Sequence, residues 1–317
     1  MITVFDTNAY LNLVSQKSFD EVRDFVKRIK EAEASKGYLA FIHPVVAQEL
    51  MYHLLDLQPE INPTYTYTKA CVALYNHCSN KETDQYFMAP YPELQRAHAY
   101  WNIDNTIAIE TEKALADILY DIENEPTDAT VKSHRDALEK NKRFIDSAEQ
   151  GYVHAIEDFK NDVLSKHPEC KSWREYLSVK KNKDELTDHL NSLDFKRTLA
   201  KAAIIVIVLE LQMFGMQVPT TSQMDDAINW YLEDAAASIE LQCRIYRHLD
   251  NPDYKFDQPQ RINMIWDERI LSILGHRMLG EEILLVTSDN EMRTAAIAMP
   301  HGHIMSYKDY LTTLGIS

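Results

Sequence analysis

A chain of 317 residues with 45% hydrophobic and 26% charged side chains has the balance of a globular protein, long enough to bury a substantial core in one large domain or two modest ones. A formal charge of −16 and a pI near 5.2 argue against a broad electrostatic footprint on nucleic acid or on an anionic membrane. They leave open a nucleic-acid enzyme that uses a local basic strip or a metal ion to neutralise its site.

Glycine is scarce, with 7 in the chain, and Gly37, Gly215, Gly275 and Gly315 fall where helices are expected to end. A glycine-poor chain rich in Leu, Ala, Glu and Lys predicts a mostly helical protein. Cys71, Cys78, Cys170 and Cys243 make no C-x-x-C pair, which points to reduced thiols and a cytoplasmic protein. The N-terminal MITVFDTNAYLNL has neither the basic nor the apolar region of a signal peptide. Ala202 to Leu211, the most apolar stretch, is far shorter than the ~20 residues of a membrane span and contains Glu210. It reads as a buried helix, and no membrane is expected.

In chain order, Ile2 to Phe5 is a buried strand ending at the turn Asp6-Thr7-Asn8. Phe19 to Ala34 carries Val22, Phe25, Val26, Ile29 and Ala32 at helical spacing and stops at Gly37. Tyr38 to Ile42 is a second strand, and Pro44 suits the first turn of a helix through Val45, Glu49, Leu50 and Leu54. Residues 56–255 show almost only helical periodicity punctuated by prolines, with one long helix expected from Ser222 to about Arg247. The α/β pattern then resumes: a helix over Ile262 to Leu279, a strand over Ile283 to Val286, a helix through Met292, a strand over His303 to Met305, and a last helix capped by Ser306. The expected fold is α/β, a parallel sheet flanked by helices, built from residues 1–55 and 256–317 and interrupted by an all-helical insertion over 56–255.

Four acids take positions that this fold would bring together. Asp6 and Asp289 end two strands, where an open parallel sheet binds its ligands. Glu49 and Asp267 lie on neighbouring helices. Carboxylates sharing one pocket repel one another unless a cation binds, and hard oxygen donors suit Mg²⁺ or Mn²⁺. Such a site supports phosphodiester hydrolysis. Taken singly, each acid reads more simply: Asp6 or Asp289 as a turn former or helix cap, Glu49 or Asp267 as a solvated helix residue.

The arrangement resembles the PIN-domain nucleases, whose first strand typically ends in Asp, Thr or Ser, and Asn, as in VFDTN here. On that resemblance Asp6 fits the first acidic ligand and Glu49, in HPVVAQEL, the second; Asp267, in NMIWDERIL, resembles the third and Asp289, in LLVTSDNEM, the fourth. Thr7, Asn8, Thr287 and Ser288 would orient these carboxylates. The resemblance implies a metal-dependent endoribonuclease acting on RNA, single-stranded rather than duplex, with Mg²⁺ or Mn²⁺. It covers residues 1–55 and 260–317. The long separation of Glu49 from Asp267 departs from the family, and leaves an insertion acid such as Asp225 or Asp226 as rival for the third position.

A haloacid-dehalogenase phosphatase would need an acid where Asn8 stands, and no nucleotide-cradling glycine loop occurs. His301 and His303 suggest a solvated turn rather than a metal pair. For substrate contact the segment 171–201 offers Arg174, Lys180, Lys181, Lys196 and Arg197 with Trp173, Tyr176 and Phe195 interleaved, matching phosphate contacts and base stacking. Arg23, Lys27, Arg28 and Lys30 on the first helix are the rival strip. The alternative function is a non-catalytic or partner-silenced scaffold whose insertion docks RNA or a regulatory protein.

Overall fold

The computed structural model describes residues 1–55, 65–80, 83, 85–103, 106–213, 215–258, 261, 263–299 and 302–316. The protein is mostly helical around a four-stranded parallel sheet. Its strands are β1 (Ile2–Phe5), β2 (Leu39–Ala40), β5 (Ile283–Val286) and β6 (His303–Met305), in the spatial order β2-β1-β5-β6. Between them in sequence lie β3 (Ser79–Asn80) and β4 (Gln85–Tyr86), a separate antiparallel hairpin. Every residue of β1 and β5 is buried, as expected of parallel strands covered on both faces.

The first helices are α1 (Thr7–Val14), α2 (Phe19–Ser35), α3 (Pro44–Tyr52) and α4 (Thr66–Cys78). Ser18 and Glu21 form a capping box at the start of α2, and Gly37 (φ 69°) turns the chain after its end. Pro44 opens α3, where its missing N–H costs nothing. Thr3 and Phe5 point to one face of the sheet, against Glu33 of α2 and His77 of α4. The last helix, α16 (Tyr307–Leu314), capped by Ser306, adds Tyr310 to that layer.

From residue 92 the helices are α5 (Pro92–Trp101), α6 (Thr106–Asn124), α7 (Asp128–Ser133), α8 (Arg135–Ser165), α9 (Trp173–Ser178), α10 (Lys180–Leu190), α11 (Leu193–Met213), α12 (Thr221–Asp234), α13 (Ala236–Arg247), α14 (Met264–Leu271) and α15 (Asn290–Ala295). The segment 56–255 is therefore not all helical, because it contains the β3–β4 hairpin. Its first helix, α4, packs directly against α1 and α2.

Three helical expectations are corrected. The helix expected over Ile262 to Leu279 is α14 alone, followed by a 3-10 turn at Ser272–Gly275; Leu279 takes φ 53° in the turn that feeds β5. The single helix expected from Ser222 to Arg247 is two. Thr220 caps α12 with Gln223 as its box partner, and the chain breaks at Ala235. A tertiary contact lies at the break: Gly275 packs so closely on the end of α12 that a Cβ there would lie 1.7 Å from the Asp234 carbonyl oxygen. No side chain near Ala235 announces this. Finally, Ala202 to Leu211 is not buried all round, since Ile205, Val206 and Leu209 are exposed.

Candidate active site

The register of β1 against β5 pairs Phe5 with Val286, so the next residues of both strands emerge side by side. The Asp6 amide donates to the Val286 carbonyl at 3.0 Å, and the Thr287 amide to that of Met305 at 3.0 Å. From β1 the chain passes to β2 on one side, and from β5 to β6 on the other. The crevice between their carboxyl ends is thus the point where strand order reverses, the usual ligand site of an open α/β sheet.

Asp6 is 1% exposed. It is the N-cap of α1: one carboxylate oxygen accepts from the Ala9 amide at 2.6 Å, and the other from the Thr287 hydroxyl at 2.5 Å. The Thr287 hydroxyl in turn accepts from the Asp289 amide at 2.9 Å. Asp289 caps α15 through the Met292 amide at 2.8 Å. Both strand-end acids therefore serve as helix caps, as the simpler sequence reading held.

Capping alone does not describe their environment. Glu49 on α3 accepts from the Thr7 hydroxyl at 2.5 Å. Burial pushes its carboxyl up to about 8, with the charges of Asp6 and Glu149 adding to the effect against the Thr7 hydrogen bond. Burial likewise pushes Asp6 up to about 7, with Asp289 adding and Thr287 and Ala9 opposing. Asp267 on α14 is pushed well above the carboxylate range, by burial first and then by Glu49, Asp289 and Asp6. Asp267 thus lies within electrostatic reach of the other three acids. Asp225 and Asp226, its rivals from the insertion, are exposed on α12.

The insertion supplies a different acid, Glu149. It stands on α8 and accepts from the Trp266 indole N–H at 3.0 Å, one residue before Asp267, and its charge is felt at Glu49. Burial pushes Glu149 itself upward, with Asp146 adding. Nothing in its local sequence distinguishes it from the other charged residues of a 31-residue amphipathic helix. Only the packing of α8 against α3 brings it to the crevice.

By donor chemistry these residues fit a hard divalent cation: one buried and several half-buried carboxylates whose mutual repulsion a positive charge would relieve. By geometry they are not gathered. Among the described residues, no group of three His, Cys, Asp or Glu side chains is arranged to hold a metal ion. Their oxygens are instead turned to protein donors, both of Asp6 and one each of Glu49 and Asp289. Enclosing an ion requires those side chains to rotate. The hydroxyls of Thr7 and Thr287 are the groups holding the present rotamers.

The remaining expected site residues divide. Thr7 and Thr287 bond the acids directly. Asn8 is exposed and Ser288 accepts from Asn12 at 3.3 Å, so neither orients an acid among the described residues. The basic strip is largely a set of ion pairs, exposed for Arg174 with Asp253, Lys181 with Glu185 and Lys183 with Asp250, and half-buried for Lys196 with Glu240. Lys180 and Arg197 are exposed. The aromatic residues between them are not a stacking surface. Tyr176 and Phe195 are buried, and Trp173 is half-buried with its N–H on the Leu249 carbonyl at 2.8 Å. They alternate with the lysines because amphipathic helices present a core face, which mimics a nucleic-acid pattern in sequence. In the rival strip, Arg23 donates to the Glu123 carbonyl at 2.8 Å and Lys30 to those of Asn76 and Ser79 at 2.8 and 2.5 Å. His303 pairs with Glu282 at 2.8 Å, and His301 lies outside the described residues. All four cysteines are free and buried.

Compared with known protein families, with characterised proteins and with solved structures, the chain matches none.

Proposed function

We propose that this chain is a metal-dependent nuclease of the PIN type, hydrolysing phosphodiester bonds of RNA with Mg²⁺ or Mn²⁺. The observation that carries the reading is electrostatic convergence at the strand-order reversal. Asp267, arriving on a helix from the far end of the chain, feels Glu49, Asp289 and Asp6 together. Like charges within reach of one another cost stability, and strongly shifted groups concentrate where proteins do chemistry. RNA as the substrate follows from the resemblance of VFDTN and LLVTSDNEM to the PIN motifs.

In this reading Asp6, Glu49, Asp267 and Asp289 hold the cation. Bound there, it supplies a water of lowered pKa and a positive charge opposite the phosphoryl oxygens. The protein's own residues then divide the work. Thr287 holds Asp6 against the end of α1 and Thr7 holds Glu49 in their present rotamers, so a cation entering the crevice would draw both carboxylates away from these hydroxyls. Asp6 and Asp289 at helix N-termini keep a fixed positive partial charge behind each carboxylate. Glu149, whose charge is felt at Glu49, would in this reading take a proton from a water entering the crevice.

The test is cleavage of single-stranded RNA and DNA in Mn²⁺, in Mg²⁺ and in EDTA, with Asp6→Asn alongside. The expected result is metal-dependent RNA cleavage, reduced by about 10²-fold or more in the variant. Equal cleavage by both proteins would sink the reading. A second reading has one observation in its favour: among the described residues, no three acids are arranged to hold one ion. A partner-silenced or non-catalytic scaffold would show cation binding without cleavage, and cutting restored on removal of a co-purifying protein would separate the first from the second.

A further inference from the structure

Behind α14, on the side away from Asp267, lies a cavity of about 430 Å³ enclosed by α5, α8, α11, α12 and α13. That volume is in the range of small-molecule sites, ~300–1,000 Å³. Its mouth is formed by exposed small or apolar residues on two facing helices, Gly151 and Ala155 of α8 with Ala202 and Val206 of α11. A Cβ on Gly151 would meet only open space. The walls below are mainly apolar and include Ile207 and Ile245.

The floor is charged. Arg269 bridges Glu93 at 2.5 Å and Glu210 at 2.6 Å; Arg96 lies over the Tyr231 ring and donates to the Ser272 carbonyl at 2.8 Å; Glu268 accepts from the Tyr231 hydroxyl at 3.5 Å. All of these residues line the cavity. Three carboxylates therefore stand against two guanidinium groups. Glu93, 8% exposed, leaves one carboxylate oxygen without a partner; Arg96, 2% exposed, leaves its Nε so, and the Tyr152 hydroxyl is also unpartnered. Buried polar atoms normally find partners, and these three are sealed within the cavity wall rather than open to it.

We propose that this cavity is a binding site for a small organic cation with an apolar body, an aryl- or alkylamine in chemical class. The apolar walls accept the body. The excess carboxylate, with Glu210 more open to the cavity than Glu93, accepts the ammonium, and the aromatic rings of Phe144, Tyr152 and Tyr246 line the way to it. An anion of the same shape is rejected by that excess. The site is independent of the nuclease reading, since none of the four crevice acids lines it.

The experiment is calorimetric and thermal-shift titration of the full chain with phenethylamine, phenethyl alcohol and phenylacetate, three heads on one body. Wild type is expected to bind the amine at least about tenfold more tightly than the alcohol, and phenylacetate least. Ala155→Phe, at the exposed rim, should weaken the amine by about tenfold or more by closing the mouth. Glu210→Gln keeps an acceptor for Arg269 but removes the excess charge, and should bring amine and alcohol to similar affinity. Phenylacetate binding as tightly as the amine, amine affinity indifferent to both substitutions, or no binding of any of the three by wild type would each overturn the proposal.

Discussion

Glu33, behind β1, and Asp6, at its end, are both taken out of water by the same strand, yet the fold treats them oppositely. Glu33 is 2% exposed and fully matched: it accepts from His77 at 3.0 Å, from Thr3 at 3.3 Å and from the Tyr310 hydroxyl. Burial would raise its carboxyl, but His77, Tyr310 and Thr3 together hold it below the usual range. Asp6 has two hydrogen bonds and no cation, and stands at about 7. The first arrangement is what a carboxylate needs to be a structural tie. The second leaves a carboxyl that sheds its charge by holding a proton up to about pH 7. Burial is common to both, so the partners, not the depth, separate a tie from a site.

The largest expected effect lies on the matched side. Glu33→Gln leaves His77, Tyr310 and Thr3 facing a group that cannot satisfy them, and should cost about 3–5 kcal/mol in chemical denaturation. A loss under ~1 kcal/mol would break the contrast.

The unmatched side should respond with the opposite sign. Asp6→Asn keeps an oxygen for the Ala9 amide and a cap for α1, but removes the buried charge. In EDTA at pH 8 it should stabilise the protein by on the order of 1–3 kcal/mol. The pH dependence follows from the direction of each shift. Asp6 stands at about 7 against an ordinary 3.8, and Glu49 at about 8 against 4.5. Their folded forms hold protons that the unfolded chain releases, so the stability present below the ordinary carboxylate values is lost as pH rises through 7 and 8. Glu33 runs the other way: its contribution is present above 4.5 and is lost as pH falls through its lowered value. Denaturation of wild type, Asp6→Asn and Glu33→Gln from below pH 4 up to pH 8 reads both slopes, Glu33 at the acid end and Asp6 toward neutrality. Parallel slopes for the two variants would collapse the distinction.

Adding Mn²⁺ should sharpen it further. A cation that neutralises the crevice raises the wild-type melting temperature at pH 8, less at pH 5 where the acids already hold protons, and leaves Asp6→Asn nearly unmoved. An equal rise in the variant would place the cation elsewhere.

How far the sequence showed this contrast depends on distance along the chain. The strand-end acids were legible because Ile2 to Phe5 and Ile283 to Val286 are short buried runs, and the residue after such a run has a fixed place in a parallel sheet. Thr7 and Thr287 were legible for the same reason; Asn8 and Ser288, equally close in sequence, point outward. What periodicity could not give was which charges meet across the fold. Tyr176 and Phe195 looked like stacking groups because one helical pattern serves both a core and a nucleic-acid face. The break at Ala235 coincides with the contact of Gly275 on Asp234, a residue far along the chain. The Glu33 network draws on Thr3, His77 and Tyr310, which no local spacing connects.

Glu149 is the smallest and most diagnostic case. It comes from α8, in the middle of the long helical segment, and reaches the crevice only through Trp266 and its nearness to Glu49. If α8 were a passive addition, Glu149→Gln would change nothing beyond a surface substitution, ~0.5 kcal/mol at most. If α8 completes the crevice, the variant keeps the bond from Trp266 but relieves Glu49 of a neighbouring charge. The Glu49 carboxyl should then titrate lower, and Mn²⁺ affinity should fall by about tenfold, the usual cost of losing a supporting group beside a metal site. Both are measurable on one sample, the first by carboxyl-resolved NMR titration and the second by calorimetry. An unshifted Glu49 with unchanged Mn²⁺ affinity would confine the site to the four acids at the ends of the chain. A shift in both would make the long helix a part of the chemistry rather than an addition to it.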